Sequence, residues 1–68
     1  MNEDVFNMSL RKFLKKVGVN GQRAVELSVR EAVSKGRLKG NEKLPAKVTL
    51  TLGGTDLNLV IDGDIELQ

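Results

Sequence analysis

The feature that most constrains this chain is a change of hydrophobic period at Pro45. Before it, apolar residues return every three or four positions, as on one side of a helix. After it, Val48, Leu50 and Leu52 alternate with Lys47, Thr49 and Thr51, as on a half-buried strand. A chain whose helical and extended patterns are segregated in this way is α+β. At 68 residues it forms one domain, and a chain so short buries only about 60% of the surface its unfolded form exposes. It has no cysteine, so neither a disulfide framework nor a thiolate metal site can supplement that core.

The helical half predicts two helices. Asn2 is placed to cap the first, with Glu3 and Asp4 suiting the positive end of its dipole. Phe6, Leu10, Phe13, Leu14 and Val17 share one face of a helix over about 3–17, and Gly18 reads as its stop. Asn20 can cap a second helix over about 21–35, with Val25, Val29, Ala32 and Val33 as its stripe and Gly36 closing it. Glu26 and Arg30 are spaced as an i,i+4 pair on its outer side. The segment 36–45, with two glycines, a proline and three bases, reads as a basic linker.

From about 46 to 67 the pattern is a β-hairpin. Gly53, Gly54, Thr55 and Asp56 form its turn, and Asp62-Gly63 offers a competing one. Register separates the two. A turn at Asp62-Gly63 pairs Leu59 with Glu66, which puts an apolar and an acidic face on one side. A four-residue loop at 53–56 instead sets Leu52 against Leu57, Leu50 against Leu59, Val48 against Ile61 and Leu44 against Ile65. On the polar side Lys47 then faces Asp62 and Lys43 faces Glu66. Every pair matches in character, so the long hairpin is expected, with Gly63 as a bulge or kink. The expected architecture is a helical hairpin packed on a C-terminal antiparallel β-hairpin.

Charge is divided unevenly. Residues 1–47 hold all 11 lysines and arginines against five acids, giving +6, whereas 48–68 hold four acids and no base. Acids near the N-terminus argue against a secretory signal, and no apolar run reaches the ~20 residues of a membrane span. A soluble cytoplasmic protein is expected.

The residue types argue against catalysis. Without His, Cys or Tyr the chain lacks the commonest general base and the commonest reactive nucleophile, and Ser9, Ser28 and Ser34 have no imidazole to activate them. The acids Asp62, Asp64 and Glu66 miss the EF-hand spacing, and in the long-hairpin register lysines already oppose two of them, so neither a metal nor another cofactor is expected. The glycines do not make a phosphate loop.

Two kinds of partner remain. Arg11, Lys12, Lys15 and Lys16 form a basic face on the first helix and, with Arg37, Lys39 and Lys43, could bind nucleic-acid phosphates. A solvated face gives the same pattern, because acids first and bases last is the order a helix dipole selects. A helix-turn-helix fits Gly18 and Asn20, yet Leu14 stands where that motif usually has a small residue. Its reading helix would turn Val25, Glu26 and Val29 toward the groove, where they would be poor readers of bases. The leading expectation, with nucleic acid as its alternative, is a non-enzymatic module that binds another protein, most simply a second copy in a homodimer, through the apolar residues that one neighbour does not need. Met8, Val25, Leu27 and Val29 are the expected contact residues.

The string Glu3-x-x-Phe6-Asn7-Met8-Ser9-x-Arg11-Lys12-Phe13-Leu14-Lys15-Lys16-Val17-Gly18-Val19, followed by Leu38-Lys39-Gly40-Asn41-Glu42 and Ala46-Lys47-Val48-Thr49-Leu50-Thr51, resembles a family of short bacterial proteins of unknown function. The resemblance spans nearly the whole chain. It implies a bacterial cytosolic protein and carries no activity, cofactor or functional residue.

Overall fold

The computed structural model describes all residues, Met1–Gln68, as two compact units, Met1–Arg37 and Leu38–Gln68. Each is described by itself. The fold class is α+β: one N-terminal helix followed by a two-stranded antiparallel hairpin.

The first unit is a single helix, α1, Glu3–Ser34, of 32 residues, about 48 Å long at 1.5 Å per residue. Its start is as expected. Asn2 is extended, and its side-chain oxygen accepts from the amides of Asp4 and Val5 at 3.0 and 3.1 Å, satisfying two of the four donors a helix start leaves unpaired. Its end is also as expected. The Gly36 amide donates to the Val33 carbonyl at 3.1 Å and the Arg37 amide to that of Ala32 at 2.8 Å, with Gly36 at φ 77°. This is a Schellman closure, and its left-handed residue is the reason a glycine stands there.

The helical hairpin is not formed. Gly18, Val19, Asn20 and Gly21 lie inside α1, and Gly18 and Gly21 have no positive φ. A break there would orphan four carbonyls and four amides at the new ends. Keeping two glycines helical costs only about 1 kcal/mol each relative to alanine. Continuation is the cheaper course, so the local stop and cap signals are overridden. The expected Glu26–Arg30 pair is also absent: Glu26 accepts from Gln22 Nε2 at 3.0 Å, and the ion pair of this region joins Lys35 to Glu31 at 2.7 Å.

In the second unit, β1 (Lys43–Thr51) and β2 (Asn58–Glu66) pair antiparallel in the expected register: Lys43 with Glu66, Leu44 with Ile65, Lys47 with Asp62, Val48 with Ile61, and Leu50 with Leu59. The ladder closes at Thr51 with Asn58, leaving Leu52 and Leu57 in the turn. There the Thr55 amide and hydroxyl both donate to the Leu52 carbonyl, at 3.2 and 2.8 Å, and Gly54 takes φ 83°.

Two hairpin details differ from expectation. Gly63 pairs with Ala46 in an unbroken register, so no extra residue bulges out and Asp62-Gly63 is not a turn. The first strand also begins at Lys43, which shortens the linker and takes Pro45 into the sheet. A two-stranded sheet has only edge strands, where proline's missing amide donor is tolerated.

Candidate interaction faces

At about 100° per residue, Phe6, Leu10, Phe13, Leu14 and Val17 occupy one side of α1, and continuity of the helix extends that side through Gly21, Ala24, Val25, Ser28 and Ala32. The side is bulky in its first half and small in its second. None of these residues is buried, and Phe13 and Leu14 remain 50% and 47% exposed. Nothing lies within 4 Å of where a Cβ would stand on Gly18 or Gly21.

The expected protein contacts are not brought together. Val25 and Val29 are neighbours one turn apart, but Leu27 points to the opposite side of the helix. Met8 lies about 26 Å from Val25 along the axis. All but Val29 are exposed, and Val29 is half-buried. Two separate helices would each carry a stripe of their own, which is why the spacing within either half does not show this. The bulky-then-small face was legible in the spacing, once a single period was carried through Gly18.

Arg11, Lys12, Lys15 and Lys16 share the side opposite the bulky residues, joined there by Arg23 and Arg30, which the separate helices had left unconnected. None of these cations closes an ion pair. Continuity also removes one account of them. Helix-dipole effects fade within the first and last turns, and Arg11 to Lys16 now lie far from the C-terminal turn, which contains no base. Arg37 ends the first unit, while Lys39 and Lys43 belong to the second. A helix-turn-helix is not present, since the turn it needs is helical.

On the hairpin, Leu44, Ala46, Val48 and Leu50 share a face with Leu59, Ile61 and Ile65. Val48 and Ile61 are half exposed. On the other face Lys43 reaches diagonally to Asp64 at 3.8 Å instead of to Glu66, and Lys47 and Asp62 face each other without closing an ion pair. Asp62, Asp64 and Glu66 do not come together as a group able to hold a metal ion.

The turn entering β1 is held by Glu42, a role not visible in the sequence. Its carboxylate accepts from the amides of Lys39, Gly40 and Asn41 at 2.8, 2.9 and 3.2 Å. These donors, that of Lys39 foremost, hold its pKa below the ordinary glutamate value. The Glu42 carbonyl in turn accepts from the Leu67 amide at 3.0 Å, extending the hairpin beyond its ladder.

These features define an α+β chain of one amphipathic helix and one hairpin, each carrying an apolar face and a charged face. The chain belongs to a family of unknown function, DUF6494, whose model matches residues 1–68. No curated protein and no solved structure matches it. No helix is long and apolar enough to cross a membrane.

Proposed function

We propose that the chain is a small non-enzymatic protein-interaction module that self-associates, acting in the cytoplasm. The observation that carries this reading is that no side chain of either unit is buried, although both units present ordered apolar faces. A two-stranded hairpin is marginal by itself, and most helix stability comes from packing an amphipathic face. Such faces gain stability from a cover, and a second copy would supply one. Light scattering after size exclusion tests it: the expected result is a mass above that of one chain at ~100 µM. A strict monomer that retains no partner in a pulldown overturns it.

A second reading rests on the unpaired cations of α1. Arg11, Lys12, Lys15 and Lys16 form an exposed basic stripe that the dipole does not account for, and with Arg37, Lys39 and Lys43 it would serve as a contact for nucleic-acid phosphates. Such binding weakens steeply with salt, by a slope of about −0.9 per duplex phosphate neutralised. Absence of binding to duplex or single-stranded probes at ~50 mM salt removes this reading.

A further inference from the structure

The long face of α1 has a symmetry of its own. Phe6 lies as far before Val19 as Ala32 lies after it. The same holds for Leu10 with Ser28, Phe13 with Val25, Leu14 with Ala24, and Val17 with Gly21. All ten residues fall within an arc of about 120° on one continuous helix. Phe6, Val17 and Ser28 recur at a spacing of about 11 residues, as do Leu10, Gly21 and Ala32. With that period the face runs nearly straight along the axis.

Charge follows the same symmetry. Glu3 and Lys35 lie at the two ends of this face, equally far from Val19. Within the chain Lys35 already pairs with Glu31 at 2.7 Å, and Glu3 has no cationic partner. The glycines add a separate constraint. A helical glycine costs about 1 kcal/mol relative to alanine, and what it offers in return is room for close approach of another backbone. Within the first unit no atom approaches the position of a Gly21 Cβ.

We propose, resting on the self-association reading above, that this face is covered by the same face of a second copy, running antiparallel about a two-fold axis level with Val19. An isologous contact requires that residue i meet j and j meet i, and symmetry about one residue satisfies this. Phe6, Leu10, Leu14 and Val17 then enter the space over Ala32, Ser28, Ala24 and Gly21 of the other copy, while Phe13 and Val25 line opposite flanks of the seam. Gly21 stands beside the axis, where the backbones come closest. Glu3 of each copy meets Lys35 of the other, and the helix dipoles oppose. Parallel pairing would instead stack Phe6 on Phe6, Gly21 on Gly21 and Glu3 on Glu3, crowding one end and leaving a void at the other. The basic stripe faces outward in the antiparallel pair. An anionic lipid surface is a poorer match for this face, because its second half offers little apolar bulk to bury.

The chain has no cysteine, so single cysteines at Ser9 or Asn20, both flanking the face, can carry nitroxide labels on the full chain. Antiparallel pairing sets the two Asn20 labels within about 15 Å of each other and the two Ser9 labels about 30 Å apart, from the rise per residue and the usual spacing of packed helices. Those distances, together with at least a tenfold weaker dimer for Gly21→Leu at undiminished helicity, are expected. Leucine is the better helix former, so a merely structural glycine would predict an equal or tighter dimer. A dimer in which both label pairs are close, or in which Gly21→Leu associates normally, overturns the antiparallel arrangement and leaves self-association standing. A folded monomer in light scattering overturns both. Equimolar phosphatidylcholine–phosphatidylglycerol vesicles that raise helicity in such a monomer would assign the face to lipid instead.

Discussion

Glu42 illustrates how much one side chain can organise. Its carboxylate gathers three consecutive amides while its carbonyl holds Leu67, so the entry to β1 and the exit from β2 meet at one residue. Because its folded-state pKa is depressed, its contribution to stability is present above the unfolded carboxylate pKa and is lost as pH falls through the folded value. NMR titration should give Glu42 a midpoint below that of the same residue in an unstructured peptide, with the Lys39, Gly40 and Asn41 amides shifting together. Glu42→Gln should remove that transition. A midpoint no lower than the peptide's would refute the assignment. The sequence held no signal for this role, since an acid after Gly-Asn reads like any other loop acid. Asn2 and Gly36 were legible, because a cap and a left-handed stop are local devices whose partners lie within one turn.

Among the elements, the hairpin and the helix differ in how far local pattern determined them. Register in β1 and β2 followed from alternation, because a slip of one residue exchanges the Leu50 and Leu59 face with the Thr49 and Val60 face. The diagonal reach of Lys43 to Asp64 was not legible, since long side chains choose among neighbours at similar range. On the helix, Gly18 and Asn20 carry the residue types of a stop and a cap, yet the chain runs through them. Gly18→Ala should therefore raise thermal stability by about 1 kcal/mol, since the alanine Cβ meets open space and the backbone is already helical. Circular dichroism melts check this. Had Gly18 been a left-handed terminus, the same change would destabilise the chain.

For the molecule as a whole, the proposed self-association would tie stability to concentration. Whatever binds the folded state and not the unfolded one raises the melting midpoint by mass action. The midpoint should thus climb steadily as protein concentration rises from ~5 to ~500 µM. A flat midpoint across that range, with a cooperative transition, would mean that each chain finds its stability alone.

From the sequence alone followed the α+β class, the start of the helix at Asn2, its end at Gly36, and a hairpin in a single register. Each depends on periodicity or on contacts within a few residues. Membership of a family of unknown function was legible in the same way, as a pattern along the chain. Only the folded structure decided that Val17 to Gly21 is helix instead of hinge. That outcome is a comparison of two costs, two glycines kept helical against eight backbone groups left unpaired, and no single residue type declares it. With it came the merging of two separate stripes into one continuous face, the loss of the dipole account of Arg11 to Lys16, and the scattering of Met8, Val25, Leu27 and Val29 around the helix.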